Sequence, residues 1–133
     1  MIYVFDSTAM IAFLTNEQGA DVVEEILTEP GAVCLAHAIN LCEIWYQAFR
    51  NGGEAVADQT ANLLNSLGII TRNDFDTAFW REAGKLKGRH RMSLADAIGL
   101  ALTLRVEGEF LTSDHHELDP VAIAGICPIT FFR

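Results

Sequence analysis

Short apolar segments alternate with longer amphipathic segments along this chain, and the alternation constrains its fold more than any other feature. Short apolar runs bounded by turn residues predict β-strands, and apolar residues three and four positions apart predict α-helices. The strands are predicted at Ile2–Phe5, Ala32–Ala36, Ile69–Thr71, Glu109–Thr112 and Ile126–Phe131. The last strand contains Pro128, which favours a position at the edge of a sheet because proline cannot donate a ladder hydrogen bond.

The predicted helices fill the segments between those strands. They cover Ser7–Leu14, Glu17–Thr28, His37–Arg50, Glu54–Leu67, Asp74–Lys87 and Ser93–Arg105. Strands that are separated by helices form parallel sheets with helices on both faces. We therefore predict an α/β fold with a central, mostly parallel sheet of about five strands. The length of 133 residues predicts a single domain over residues 1–133.

Cysteine usage and hydropathy narrow the class of protein. Cys34, Cys42 and Cys127 are odd in number and lie in apolar segments, which predicts reduced core residues and no disulfide or zinc site. No secretory signal precedes Asp6, and no apolar run approaches the roughly 18 residues of a membrane span. We expect a soluble cytoplasmic protein that does not associate with membranes.

The charge distribution bears on the ligand. The formal net charge of −9 disfavours nucleic acid, because phosphate contacts are made by lysine and arginine. Five of the nine basic residues nevertheless fall in one short segment, at Arg81, Lys85, Lys87, Arg89 and Arg91. The macrodipole at a helix C-terminus accounts for Lys85 and Lys87, whereas Arg89 and Arg91 lie beyond the predicted helix. Within this segment, Lys87, Arg89 and Arg91 are the candidates for binding phosphates.

Two acidic residues, Asp6 and Asp114, come at the ends of predicted strands. Open α/β sheets bind ligands outside the carboxyl ends of their strands, so both side chains are expected at that edge. The structural alternatives are an N-cap for Asp6 and a turn residue for Asp114.

Two more acidic residues, Glu43 and Asp96, lie on predicted helices. Glu43 belongs to a polar stripe that is either a solvated face or the wall of a cleft. The stripe consists of His37, Asn40, Glu43, Gln47 and Arg50. Asp96 is the only charged residue between Arg91 and Arg105, and a lone carboxylate in a buried helix is costly unless it is compensated. The alternative for Asp96 is a capping box that begins at Ser93.

Together the four acids indicate a metal site. A cluster of carboxylates repels itself unless a divalent cation fills it. Hard oxygen ligands select Mg²⁺ or Mn²⁺ over zinc. The candidate ligands are Asp6, Glu43, Asp96 and Asp114.

The segments around these acids resemble the PIN domain family. Val4–Thr8 is similar to the family's opening strand, which ends in Asp followed by Ser or Thr, and Ala38–Ile44 is similar to its helix with an acidic Glu. Ser93–Ala97 resembles its Leu-x-Asp-Ala signature, and Leu111–Asp114 resembles its Thr-x-Asp motif. Order and spacing agree across nearly the whole chain, and the size is similar to that of VapC-type toxins of bacterial toxin–antitoxin pairs. One departure is His37, where family members often carry Ser.

The resemblance implies a three-layer α/β/α sandwich that hydrolyses RNA with two Mg²⁺ or Mn²⁺ ions and forms a homodimer. It implies that Asp6, Asp96 and Asp114 hold metal, while Glu43 binds a second ion or its water. The candidate supporting residues are Thr112, Ser113 and Asn40. The basic segment supplies the candidate RNA-binding residues, Lys87, Arg89 and Arg91.

The resemblance also implies a partner, a small antitoxin protein that blocks the site. A basic tail suits a rim of carboxylates, because arginine pairs them bidentately. We expect such a tail to lie across Asp6, Glu43 and Asp96. Its apolar anchor is expected among Met10, Phe13, Leu14 and Trp45.

Other classes of protein remain as alternatives. A degenerate PIN domain would act only as a protein-binding module, although the presence of all four acids argues against it. A receiver-like phosphotransfer domain needs paired acids near the first strand and a late lysine, but Asp6 has no acidic neighbour and the only lysines are Lys85 and Lys87. A haloacid-dehalogenase-type phosphatase needs a second aspartate where this chain has Thr8.

Overall fold

The computed structural model describes residues 1–133 and contains one five-stranded sheet in which every pairing is parallel. Its strands are β1 (Ile2–Phe5), β2 (Val33–His37), β3 (Ile69–Arg72), β4 (Glu109–Thr112) and β5 (Ile129–Phe131). The order across the sheet is β3-β2-β1-β4-β5. The last strand lies at an edge of the sheet, as predicted. It begins at Ile129 and not at Ile126, so Pro128 precedes the strand and is not part of it.

Seven helices connect and cover these strands. They are α1 (Ser7–Leu14), α2 (Ala20–Thr28), α3 (Ala38–Gly52), α4 (Glu54–Ser66), α5 (Thr77–Arg89), α6 (Leu94–Val106) and α7 (His115–Ile123). Helix α2 begins three residues later than predicted, because Gly19 adopts a left-handed conformation (φ +90°) at its N-cap. Helix α5 also begins three residues late, at the residue after its N-cap Asp76, and it continues to Arg89. The prediction that Arg89 lies beyond this helix is therefore wrong, and the macrodipole favours Arg89 as it favours Lys87.

Helix α7 was not predicted, since no element was assigned between the fourth and fifth strands. Pro120 lies inside this helix, and a proline there removes a hydrogen bond and argues against helix. The helix is short and depends on its cap, in which the Asp114 side chain accepts a hydrogen bond from the Glu117 amide at 3.1 Å. A local cap therefore outweighs the proline.

Two hydrophobic cores lie on the two faces of the sheet and make the fold a three-layer α/β/α sandwich. Successive strand residues point to opposite faces, so each strand contributes to both cores. Val4 and Phe110 pack with α5, α6 and α7 on one face. Phe5 and Leu111 pack with α1 to α4 on the other. The predicted fold class is confirmed.

The cysteines are free thiols, but they do not all lie in the core. Cys34 and Cys127 are buried, whereas Cys42 is exposed on α3, so the prediction that all three are core residues is wrong for Cys42. None of the seven helices combines the length and the hydropathy needed to span a bilayer.

Close packing between α6 and β4 depends on Gly99. A Cβ atom at this position would lie 2.5 Å from Cε1 of the buried Phe110 and 3.4 Å from Nδ2 of Asn40. We predict that Gly99→Ala lowers the free energy of unfolding by about 1–3 kcal/mol, because an overpacked core must shift. Urea unfolding measures this change.

The matched control is Gly84 in α5, where a Cβ atom would meet nothing within 4 Å. Gly84→Ala should raise the free energy of unfolding by about 0.5–1 kcal/mol through backbone entropy alone. A Gly99→Ala protein as stable as wild type would contradict the packing described for α6.

Candidate functional site

The strand order creates a switch point at the carboxyl end of β1. From β1 the chain continues to β2 and β3, which lie on one side of β1 within the sheet, and it later returns to β4 on the other side of β1. Such a reversal opens a crevice at the carboxyl edge, where α/β sheets bind ligands. Asp6 and Asp114 follow the two strands that border this crevice.

Asp6 is buried in the crevice and caps α1 at the same time. Its Oδ1 accepts hydrogen bonds from the Ala9 amide at 2.8 Å and from the Thr8 hydroxyl at 2.7 Å. Its Oδ2 accepts one from the Thr112 hydroxyl at 2.5 Å. Asp6 is therefore both the N-cap of α1 and a residue of the site, because the capping hydrogen bond fixes its carboxylate in the crevice.

Thr112 joins the two acidic strand ends. Its hydroxyl donates to Asp6 and accepts a hydrogen bond from the Asp114 amide at 3.0 Å. The neighbouring Ser113 donates its amide to the Thr8 hydroxyl at 3.3 Å. Two of the three predicted supports, Thr112 and Ser113, lie beside the acids, and Thr8 is a further support that was not predicted.

Glu117, on the first turn of α7, completes the local hydrogen bonding around Asp96. Ser93 caps α6 by accepting from the Asp96 amide at 3.1 Å, as the capping box predicted. The reciprocal bond of such a box is made by Glu117, whose Oε2 accepts from the Ser93 amide at 3.0 Å. The Asp96 carboxylate makes no hydrogen bond of the capping box and faces the crevice.

These elements enclose a cleft of about 220 Å³, the acidic cleft. Its lining residues are Asp6, Ser7, Thr8, Glu43, Ser93, Ala95, Asp96, Asp114 and Glu117. All four acids that the sequence singled out are present. Glu117 was missed, although its place three residues after a capping aspartate is a recognisable signal of a first helical turn.

The oxygen donors of the acidic cleft match a hard divalent cation. One carboxylate oxygen each from Asp96, Asp114 and Glu117 lies within 4.8 Å of the others. Ligands around Mg²⁺ lie about 2.1 Å from the ion, so opposite ligands are about 4 Å apart. Small side-chain rotations would bring these three oxygens onto one ion, with Asp6 and Glu43 on the wall beside it.

Burial and mutual repulsion raise the pKa of several of these acids. Burial, and then the charge of Asp6, raise the pKa of Asp96 to about 8. The same two causes raise the pKa of Glu43 above its ordinary value. Burial also raises the pKa of Asp6, against the hydrogen bonds from Thr112 and Thr8. Each shift favours the protonated, neutral form of the carboxyl group in the metal-free cleft, where no cation compensates the charge.

The other four residues of the polar stripe lie outside the acidic cleft, and two of them, Asn40 and His37, are buried. Asn40 is buried, and its Nδ2 has no hydrogen-bond partner. His37 caps α3, because its Nδ1 accepts from the Ile39 amide at 3.1 Å while its Nε2 lies 2.8 Å from the carbonyl of Asp74. His37 therefore serves as an N-cap in place of serine.

The predicted phosphate-binding residues divide into two groups. Lys87 donates to the carbonyl of Met92 at 2.9 Å and so fixes the loop between α5 and α6. Arg89 and Arg91 line a second cleft of about 400 Å³, the basic cleft. Its other lining residues are His90, His116, Glu117, Pro120 and Val121. Glu117 lines both clefts.

Fold and site together define an α/β protein with a carboxylate cluster at its topological switch point. A model of the PIN domain matches residues 3–123. The chain belongs to the PIN domain family. A comparison with curated proteins finds no match.

Several solved structures have a similar fold. One is VapBC2 from Rickettsia felis bound to a DNA fragment from its promoter, with a TM-score of 0.76 and 10% identity over 98% of both chains. Another is a toxin–antitoxin complex from Klebsiella pneumoniae, with a TM-score of 0.75 and 19% identity over 98% of both chains. A third is VapC20 from Mycobacterium tuberculosis, a toxin that cleaves the sarcin-ricin loop. Its TM-score is 0.65 and its identity 16%, over 83% of this chain and 87% of that one. At these identities the likeness is one of fold.

The raised pKa of Asp96 predicts how metal-free stability depends on pH. An aspartate in the unfolded chain has a pKa of about 4, whereas the pKa of Asp96 in the folded protein is about 8. Between about pH 4 and about pH 8, Asp96 is therefore protonated to a greater extent in the folded protein than in the unfolded chain. Stability in chelator should therefore fall as pH rises through this window. Asp96→Asn removes the cost of ionising this buried carboxyl group. The melting temperature of the variant should exceed that of wild type by a margin that grows from pH 5 to pH 8.

Thermal melts in EDTA across this range measure the margin. Glu24→Gln, an exposed change on α2, is the control and should show no such trend. A constant or shrinking margin for Asp96→Asn would show that Asp96 is not the group that binds the proton.

Proposed function

We propose that this chain is a metal-dependent endoribonuclease that hydrolyses RNA phosphodiester bonds, with residues 1–133 as one nuclease domain. The observation that carries the proposal is the gathering of five carboxylates in one cleft at the switch point. Three of them offer oxygens close enough to share an ion. Membership of the PIN domain family supports the same reaction.

Within this proposal the residues have separate tasks. Asp96, Asp114 and Glu117 hold one Mg²⁺ or Mn²⁺, and Glu43 with Asp6 faces a second. When bound, such ions lower the pKa of water, orient the phosphate and stabilise the leaving oxygen. Thr112 fixes Asp6 against Asp114, and Glu117 fixes the first turn of α6 through Ser93.

The cellular role we propose is that of the toxin in a toxin–antitoxin pair. The support is the likeness of fold to VapBC2 of Rickettsia felis and to the Klebsiella pneumoniae toxin–antitoxin complex. We expect the chain to act as a homodimer in the cytoplasm. A protein-binding module without activity is disfavoured, because Asp6, Glu43, Asp96 and Asp114 are all present in the cleft.

An antitoxin would use two adjacent surfaces. We expect its arginine- or lysine-bearing tail to lie across Asp6, Glu43 and Asp96, and its apolar part to occupy a groove of about 480 Å³ between α1, α3 and α4. Leu14 lines this groove, in agreement with its expected role as an anchor. Met10 is buried in the core, so its prediction as an anchor is wrong. Phe13 and Trp45 are half-buried and lie outside the groove.

The proposed activity predicts loss of RNA cleavage on removal of single carboxylates. Asp6→Asn and Asp96→Asn should each reduce cleavage in Mg²⁺ or Mn²⁺ to the level that wild type shows in EDTA, because the ion loses a ligand or its support. Gel analysis of a labelled RNA measures cleavage. Glu24→Gln removes a charge outside the cleft and should cleave at the wild-type rate. Cleavage that persists in EDTA would contradict metal dependence.

Thr112 should affect metal affinity without contacting metal. Thr112→Val removes the hydroxyl that bonds Asp6 and Asp114, and groups that orient ligands in this way contribute roughly 10- to 100-fold to metal affinity or activity. Calorimetric titration with Mn²⁺ measures the loss.

The matched control for that variant is Thr103→Val. Thr103 is also fully buried, and its hydroxyl donates to the Gly99 carbonyl at 2.8 Å. It lies two turns along α6 from Asp96, outside the acidic cleft. Thr103→Val should change stability and leave Mn²⁺ affinity at the wild-type value. Equal affinities for the two variants would remove the assigned role of Thr112.

A further inference from the structure

The basic cleft stands out because it brings two unpaired arginines together in an acidic protein. Arg72, Arg105 and Arg133 each form an ion pair with an acidic side chain. Arg89 and Arg91 form neither an ion pair nor a hydrogen bond, although the net charge of the chain is −9. Two unpaired guanidinium groups on one wall of a cleft attract an anion.

Arg89 is the last residue of α5 and Arg91 lies in the loop that follows, and this segment is held in place from both ends. Lys87 binds the Met92 carbonyl, and the Met92 side chain is buried in the core. The Ser93 amide is bound by Glu117 of α7. Arg89 and Arg91 are therefore presented by a fixed segment, and less ordering entropy is lost when they bind a ligand.

Two histidines also line the basic cleft, and the volume of the cleft suits one nucleotide. His90 comes from the same loop, and His116 comes from the facing first turn of α7. The volume of about 400 Å³ lies within the range of clefts that bind small molecules. Imidazole and guanidinium groups together offer donors to phosphate oxygens and flat faces to a base.

We propose that the basic cleft binds one internal phosphate of the RNA strand, next to the phosphate that is cut in the acidic cleft. This inference rests on the proposed function and extends it to the path of the substrate. The two clefts share Glu117, so the strand passes from one to the other over that side chain. Arginine binds phosphate through paired N–H groups, so we assign the phosphate contacts to Arg89 and Arg91. Lys87 is a positioning residue for this loop.

The test is RNA binding in EDTA, where the metal-dependent reaction is off. Anisotropy of a labelled single-stranded RNA without terminal phosphates gives the affinity over a range of salt concentrations. The double variant Arg89→Ala with Arg91→Ala should bind roughly tenfold more weakly or worse, which is the loss expected for charge-assisted hydrogen bonds. Its log–log salt slope should shrink by about 0.7, the value for one single-strand phosphate.

The matched control is Arg50→Ala with Arg81→Ala. Both side chains are exposed and form no ion pair, and the change in net charge is the same. This variant should keep the wild-type salt slope. Equal effects of the two double variants would overturn the proposal, because they would show a general effect of charge.

Two further arms identify the ligand. NMR signals of the His90 and His116 rings should shift on addition of the RNA and of a nucleoside monophosphate, and stay in place with the unphosphorylated nucleoside. Binding only of RNAs that carry a terminal phosphate would overturn the assignment to an internal phosphate. A different result would contradict the proposed function and leave the phosphate site standing: RNA that binds through Arg89 and Arg91 but is not cleaved when Mg²⁺ or Mn²⁺ is added.

Discussion

The hydrogen bond between the Thr112 hydroxyl and the Asp6 carboxylate is the interaction on which the site depends. A buried carboxylate is tolerated only when donors compensate it, and Asp6 receives three, from its own helix cap and from the end of β4. Through Thr112 the same carboxylate is tied to the Asp114 amide, where α7 begins. One satisfied polar group thus joins β1, α1, β4 and α7.

Around that group the protein keeps acidic side chains that oppose one another. The pKa of Asp96 rises to about 8 because burial and the charge of Asp6 both disfavour its ionised form. Such a cluster reduces the stability of the metal-free fold, as sites shaped for binding charge often do. In the proposed metal site, a divalent cation would attract these carboxylates and relieve their repulsion. The same cluster of charges would then account both for the lower stability of the metal-free fold and for metal binding.

Net charge is a poor guide to this protein, because its charges are sorted in space. The acidic and basic clefts meet at Glu117, which lines both. Elsewhere, arginines such as Arg105 are bound by acids and contribute to packing, here against Asp74 and Asp76. Arg89 and Arg91, which form no ion pair, line the basic cleft beside the carboxylates. An overall charge of −9 is therefore compatible with an RNA substrate for the proposed activity.

Sequence alone determined the strands, six of the helices and the positions of four acids at strand ends and on helices, because periodicity and capping are local properties. The tertiary structure alone decided that β1 lies between β2 and β4, which brings Asp6 to Asp114 across more than a hundred residues. It also placed Glu117 in the site, on helix α7, which the sequence did not predict because of Pro120. Asn40 was found to be buried outside the cleft. These outcomes depend on which distant segments pair, and no local pattern records that choice.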